Sequence, residues 1–492
     1  MSIPDLSKFY INGAWVPALS DQRMALIDPA TEKHLGQLAM GNATDVETAI
    51  RAAHTAFPAY SQTSPEARQA LLKRIVEMYE ERAEAFAEAM RIEMGSPIGF
   101  SRTGQVARGS LHINALIEVM DRFAFEEDRG TTRIRQEPIG VCGLITPWNW
   151  PINQVVVKVA PAIAAGCTMV LKPSEFSAIS ALMFAQVLHD AGVPKGVFNL
   201  VNGDGPNVGA TLSSHPLIDM VSFTGSTRAG IEVAKSAAPT VKRVAQELGG
   251  KSANILLDDA DFSTAVPKGV AACLTNSGQS CSIPTRMIVP QARLPEVVKL
   301  AVETATSYRL GPTNDPTTNL GPLVNRAQFD RVRRLIQSGI DEGATLQCGG
   351  PERPEGLEAG YYVQPTIFTD VTPNMTIARE EIFGPVLSIL AYDTEEEAIA
   401  IANGSNYGLA AYVQGTDLDR ARNVARQLIG GQVHINYPPA DFYAPFGGFR
   451  QSGNGREWGE AGLHEYLEVK AMIGYHPAPD SSPATQKHPE TK

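Results

Sequence analysis

The chain has 492 residues, 43% hydrophobic and 19% charged, which is long enough for two or three globular domains with substantial cores. Its formal net charge of -11 offers no basic surface for a phosphate backbone, which argues against nucleic acid as a partner. The opening residues lack a charged and then apolar leader, and no run of about 18 apolar residues occurs, so neither export nor a membrane span is expected.

Along the chain, the first third predicts helices. Thr44-Asp-Val-Glu47 has the spacing of a capping box, opening a helix with Val46, Ile50, Ala53 and Phe57 at helical intervals. Ser64-Pro65 opens a second, longer helix carrying Leu71, Leu72, Ile75, Met78, Tyr79, Phe86 and Met90, with Gly95 as its left-handed stop. From residue 138 the pattern changes. Short apolar runs (IGVCGLI, TMVLK at 168–172, VFNLV at 197–201, MVSF at 220–223) alternate with helical stretches such as Ser177 to His189. This βαβ alternation predicts an α/β chain with a parallel, doubly wound sheet whose ligands bind beyond the carboxyl ends of the strands. A second strand-and-helix series, including RMIV, PVLSILAY and QVHIN, runs from 251 to 449 and predicts a further domain. The Pro-, Ser- and charge-rich end, 477–492, reads as an unstructured tail.

The five cysteines, Cys142, Cys167, Cys273, Cys281 and Cys348, are scattered and have no CxxC spacing. They fit neither a disulfide framework nor a zinc site, so no metal is expected and a reducing cytoplasm suits them. One of them can be a nucleophile. Cys281 lies in a polar turn, Asn276-Ser-Gly-Gln-Ser-Cys281, ahead of a strand; alone, it reads first as a small buried hydrophobe and only second as a nucleophile.

Four other motifs could carry chemistry, each with an ordinary structural reading beside it. Glu247-Leu-Gly-Gly250-Lys-Ser follows the strand-like VKRVA; in a dry pocket this carboxylate would gain proton affinity and serve as a base, or it is a solvated turn residue. Asn149, in ITPWNWP, could donate to an oxyanion or simply precede a turn. Lys172 and Glu175, in MVLKPSE, could hold ribose hydroxyls or form a strand-end ion pair. Gly225 and Ser226, in FTGST, and the loop from Gly203 through Gly205 to Gly209 could hold a pyrophosphate at a helix start, although neither has GxGxxG spacing.

Taken in order, ITPWNWP, LKPSE, FTGST, ELGGKS and GQSC resemble the aldehyde dehydrogenase superfamily, as do Glu380-Glu381-Ile-Phe383-Gly-Pro-Val and Pro445-Phe446-Gly-Gly-Phe-Arg-Gln-Ser-Gly. The resemblance covers nearly the whole chain. It implies a Rossmann-type cofactor domain (1–118 and 139–250), an α/β catalytic domain (251–449) and a small β oligomerisation element (119–138 and 463–476) joining a homodimer or homotetramer. It further implies NAD-dependent oxidation of a small aldehyde to its acid. Cys281 would be the nucleophile, Asn149 and the Cys281 backbone N–H the oxyanion hole, Glu247 the base that activates water, and Glu457 a member of a proton relay. Cofactor contacts are implied for Thr146, Pro147, Trp148, Lys172, Ser174, Glu175, Gly205, Gly209, Phe223, Gly225, Ser226, Leu248, Glu381 and Phe383. Among these, Lys172 and Glu175 would hold the adenosine ribose, Ser226 the pyrophosphate, and Glu381 with Phe383 the nicotinamide side. Glu175 would repel a 2′-phosphate, which favours NAD over NADP. Relatives that release acyl-CoA characteristically lack a glutamate at 247, so its presence implies hydrolysis.

By family position, Trp150, Asn153, Gln154, Val157, Ser280, Ser282, Asp441, Phe442 and Phe446 line or border the substrate entrance. Val157, where several relatives have an aromatic ring, implies a tunnel roomy enough for medium aliphatic or aromatic aldehydes. Asp441 leaves an amino-aldehyde open, and a semialdehyde is a further alternative. Two readings of another class remain: a thiol esterase, which leaves the cofactor motifs without a purpose, and a non-catalytic structural protein, which need not retain Cys281, Glu247 and Asn149.

Overall fold

The computed structural model describes residues 3–477. The tail expected at 477–492 lies, apart from its first residue, outside the described residues.

The short apolar runs become five parallel strands: β1 (Val141–Ile145), β2 (Thr168–Lys172), β3 (Phe198–Leu200), β4 (Met220–Thr224) and β5 (Arg243–Glu247). They lie in the order β3-β2-β1-β4-β5. Strands β1 to β4 are buried throughout, as continuous apolar runs require when helices cover both faces of a sheet. The order reverses between β1 and β4, so a crevice opens beyond their ends at Ile145 and Thr224.

Antiparallel strands extend both edges of this sheet. Gly453–Asn454 pairs with β5, setting Gly453 opposite Glu247. At the other edge Lys8–Ile11 pairs with β3 and with Ala14–Pro17. The helical reading of the first third omits this hairpin and the one formed by Arg23–Ile27 and His34–Ala39. The local signal is Asn12-Gly13, whose φ values of 52° and 77° are those of a two-residue hairpin turn.

Two helix boundaries also differ from expectation. Helix Ala43–Tyr60 is capped by Asn42 and Asp45, not by Thr44 and Glu47. Asn42 Oδ1 accepts from the Thr44 and Asp45 N–H groups and Asp45 returns a bond to Asn42 N, while Glu47 pairs with His215 and Arg51. The expected long helix is two, Pro65–Glu80 and Ala83–Met94. Tyr79 and Phe86 are seven residues apart and their rings pack at 4.8 Å, so the apolar stripe alone conceals the break. Ser64 caps the first helix and Gly95, at φ 79°, ends the second, both as expected.

A second sheet has seven strands in the order 345–348, 366–369, 386–392, 286–290, 253–256, 410–414, 432–435, parallel except for the first. A third, antiparallel sheet joins Leu467–Met472 to Thr132–Pro138 and Glu126–Arg129. Among the described residues, no helix is long and apolar enough to cross a membrane, and no cluster of His, Cys, Asp and Glu could hold a metal ion.

One buried acid ties the helical layer together. Glu93 accepts N–H bonds from Ile179 and Ser180 at the start of helix Ala178–Asp190, and burial pushes its carboxyl up to about 8. Because its folded value is raised, its stabilising contribution is fully present below about 4.5 and falls as pH rises through about 8. Glu93→Ala strands two buried N–H groups and should cost about 2–3 kcal/mol, read as a drop of several degrees in Tm. Glu93→Gln should cost less at pH 7 and remove this part of the pH dependence; a wild-type Tm in Glu93→Ala would show that the contact is dispensable.

Candidate active site

The loops beyond β1, β4 and β5 meet loops of the second sheet around one cleft. Pro147, Trp148, Asn149, Gln154, Thr224, Gly225, Ser226, Leu248, Gly249, Cys281, Gln328, Arg331, Glu381 and Phe383 line it. The nucleophile candidate, the oxyanion candidate and much of the expected cofactor set therefore share one space.

The turn before Cys281 has an uncommon backbone. Asn276, Ser277 and Gly278 are consecutive left-handed residues at φ 56°, 57° and 75°. Two of them are not glycine, so the surroundings must hold them there. The Asn276 amide donates to the carbonyls of Asn149 (2.8 Å) and Gln279 (3.2 Å), and Gln105 Nε2 donates to Asn276 Oδ1 and the Asn149 carbonyl. Ser277 Oγ donates to the Gly321 carbonyl at 2.9 Å, and Gln279 Oε1 accepts from Val324 N. A Cβ at Gly278 would lie 2.0 Å from the Gly384 carbonyl oxygen, and one at Gly250 would lie 2.3 Å from that of Cys281.

This buried network sets the thiol beside Asn149. Asn149 Nδ2 donates to the Gln279 carbonyl at 3.1 Å, and the amide has a second N–H to offer a ligand. Burial pushes the Cys281 thiol far above its ordinary range, reinforced by the negative charges of Glu381 and Glu247.

Glu247, at the end of β5, is buried, and among the described residues neither carboxylate oxygen has a hydrogen-bond partner. Burial raises its proton affinity well above the ordinary range, and the neighbouring charge of Glu457 adds to the effect. The carboxylate lines a small void with Ser222, Glu457 and Tyr466, outside the cleft that exposes Cys281. Glu457 pairs with Lys158 at 2.5 Å, and Lys158 also donates to Ser222 Oγ at 2.9 Å. Lys158 escaped the reading of the sequence. The available signal was the one charged residue of the largely apolar helix Pro151–Ala165, where a cation is retained only with a buried partner.

Other expected cofactor residues cluster around the crevice. Lys172 Nζ lies 3.6 Å from Glu175 and donates to the Pro173 carbonyl, while Ser174 caps the turn that carries Glu175. Gly209 faces the Lys172 side chain, and Gly205 begins the same turn. Ser226 caps helix Thr227–Ala237, and Gly225 is pressed against the Phe223 ring. Leu248 fills the space left by Gly230. Thr146 and Thr224 each have a buried hydroxyl without a partner, free to meet a ligand. Glu381 accepts from Gly250 N at 3.0 Å, and burial pushes its carboxyl up to about 7. Phe383 meets Trp148 edge to face at 5.4 Å. Arg331, also outside the sequence-based set, donates to the Glu381 and Ile382 carbonyls.

The expected substrate residues divide into two groups. Gln154 lines the Cys281 cleft, and Trp150 Nε1 donates to Ser280 Oγ at 3.0 Å. Ser282 offers its carbonyl to the Tyr412 hydroxyl, and Asn153 is buried. Val157 lines a separate void with His112 and Trp458, into which the expected roomy tunnel would have to lead. Phe442 packs edge-on to His112 at 4.8 Å; Phe446 stacks on Trp458 at 4.5 Å and pairs its backbone with Glu457. Asp441 is exposed and binds the Tyr443 and Ala444 N–H groups.

The profile of the aldehyde dehydrogenase family matches residues 15–472. The chain belongs to that family. It is 53% identical over 472 residues to a 3-succinoylsemialdehyde-pyridine dehydrogenase of Pseudomonas sp, covering 96% of this chain and 99% of that protein. Aldehyde dehydrogenase C of Pseudomonas syringae, solved as a cysteine-to-alanine variant complexed with NAD+ and octanal, is 55% identical with a TM-score of 0.96, covering 97% of this chain and 99% of that one. An aldehyde dehydrogenase of Mycobacterium tuberculosis complexed with NAD+ is 40% identical with a TM-score of 0.93, covering 95% and 98%.

In this family member the turn leaves no room for a side chain at Gly278. Gly278→Ala should displace Cys281 and lower kcat for aldehyde oxidation by on the order of 100-fold, with Tm recorded alongside. Wild-type turnover in this variant would show that the close approach to Gly384 is not needed.

Proposed function

We propose that the chain oxidises an aldehyde to its carboxylic acid with NAD, through a thioester on Cys281 that water hydrolyses. The observation that carries the reading is the convergence of Cys281, Asn149, Glu381 and Phe383 on one cleft at the reversal point of a doubly wound sheet. The start of helix Thr227–Ala237 and the unpartnered hydroxyls of Thr146 and Thr224 suit a dinucleotide there. Lys172 and Glu175 would hold its adenosine ribose, Ser226 its pyrophosphate, and Glu381 with Phe383 its nicotinamide half. Glu175, by its charge, favours NAD over NADP. When bound, the nicotinamide supplies the hydride acceptor.

In this mechanism the Cys281 thiol gives up its proton to solvent in the cleft as the sulfur adds to the carbonyl carbon, and the resulting oxyanion accepts from Asn149 Nδ2 and the Cys281 backbone N–H. Loss of hydride leaves a thioester. Glu247, whose proton affinity burial has raised, takes a proton from water as it attacks the thioester and regenerates the thiol. Glu457 and Lys158, beside it, offer the proton a route away from the chamber.

The substrate is proposed as a medium aliphatic or aromatic aldehyde. The Pseudomonas relatives, one named for a pyridine semialdehyde and the other complexed with octanal, support that range. We assign residues 1–118 and 139–250 to cofactor binding, 251–449 to catalysis, and 119–138 with 463–476 to assembly as a homodimer or homotetramer. Free cysteines at all five positions accord with a reducing cytoplasm.

Spectrophotometric NAD reduction with a panel of aldehydes tests the reading; ester cleavage without hydride transfer would overturn it. Cys281→Ala should abolish turnover. Glu247→Gln should retain a stoichiometric burst of NADH while steady-state turnover falls about 100-fold. Equal loss of burst and turnover would remove Glu247 from the hydrolytic step.

Assembly has its own test. Val469 and Ile473, 69% and 86% exposed, lie on and just beyond an edge strand of the three-stranded sheet. Replacing both with Lys should shift the molar mass from light scattering toward the monomer; an unchanged mass would place the contact elsewhere.

A further inference from the structure

Beside the Cys281 cleft, the helix Ala107–Met120 presents Arg108 and His112, one turn apart on the same face. The Arg108 guanidinium lies over the Trp150 ring, 4.7 Å from its centroid, and 6.0 Å from that of Phe442. Trp150 in turn donates to Ser280, the residue before the nucleophile. Arg108 is therefore one aromatic ring away from the reacting centre.

Arg108 forms no ion pair or hydrogen bond among the described residues; its Nε is buried and unsatisfied, while the side chain as a whole is half-buried. A guanidinium partly withdrawn from water and stacked on an indole keeps its charge and leaves its terminal donors open to a carboxylate. The nearby acids are engaged elsewhere. Glu118 accepts from the Tyr443 hydroxyl at 2.6 Å, and Asp441 Oδ1 binds two backbone N–H groups in its own turn. His112, packed between Phe442 and Trp458, is held neutral by burial, which pushes it down to about 3. Trp150 and Phe442 thus set an aromatic wall beside a lone cation.

We infer that Arg108 is a specificity-determining residue and that the preferred substrate is an aldehyde bearing a carboxylate at its remote end, an ω-oxo acid. The carboxylate satisfies the guanidinium fork while the aromatic rings cover the methylene chain. An amino-aldehyde would bring its ammonium toward Arg108, where no free acid receives it, so the amino-aldehyde alternative is disfavoured. This inference rests on Cys281 as the aldehyde-accepting nucleophile.

The test compares kcat/KM for three matched pairs with NAD: butanal and 4-oxobutanoate, hexanal and 6-oxohexanoate, octanal and 8-oxooctanoate. The wild-type enzyme should favour the oxo acid for at least one length. At that length, Arg108→Met should lower the ratio of oxo acid to alkanal about tenfold or more, chiefly through KM, and Arg108→Lys should retain part of it. Where the methionine variant fails to fold, Arg108→Gln reads the same ratio. A wild-type preference for the alkanal at every length, or a ratio that Arg108→Met leaves unchanged, overturns the inference while leaving aldehyde oxidation standing. If none of the six compounds reduces NAD, the proposed function falls, and the role of Arg108 with it.

Discussion

Behind Cys281, backbones from separate loops meet with no room for a side chain between them. Gly250 abuts the Cys281 carbonyl and Gly278 abuts the Gly384 carbonyl, so a methyl group at either position would enter a neighbouring main chain. These contacts join the loop after β5, the Cys281 turn and the loop that carries Glu381. The other site groups inherit their positions from that junction. Asn149 is fixed through Asn276 and Gln279, and Glu381 through Gly250 N. Strain in the left-handed residues is tolerated because buried amides on several sides hold the same geometry.

Burial also governs the electrostatics. The site withdraws Glu247, Glu381, Glu457 and Lys158 from water, and only Glu457 and Lys158 form an ion pair with each other. Replacing that pair with apolar side chains would leave stability largely intact by general expectation, so its presence is better understood through Glu247. The Lys158 cation partly offsets the charge that Glu457 brings to Glu247. Burial nonetheless keeps Glu247 a strong proton acceptor, and among the described residues no hydrogen bond competes for it.

Much of this arrangement was legible in the sequence. The strands from β1 to β4 appear as short apolar runs, and their carboxyl ends point to Asn149, Lys172 and Ser226 because ligands gather there in wound sheets. Cys281, ambiguous in its own turn, is distinguished from the other cysteines by the ordered motifs around it. What stayed hidden depends on contacts distant along the chain. Lys158 and Glu457 are 299 positions apart, and the pairing of Gly453 with Glu247 that brings Glu457 alongside has no local signature. Arg108 lies among ordinary helical residues, and only its lack of a partner in space sets it apart. The first N-terminal hairpin was legible through Asn12-Gly13 but outweighed by the helical pattern that follows it.

The cleft lined by Cys281, Ser226, Glu381 and Phe383 and the void lined by His112, Val157 and Trp458 are separate openings. Molecules that occupy these openings need not exclude one another. On the proposed function, an inhibitor wedged among the aromatic rings would compete with aldehyde yet leave dinucleotide affinity intact, and a nucleotide analogue would show the opposite pattern. Two separate spaces divide the two recognition problems, so on that reading one can diverge toward new aldehydes while the other stays unchanged.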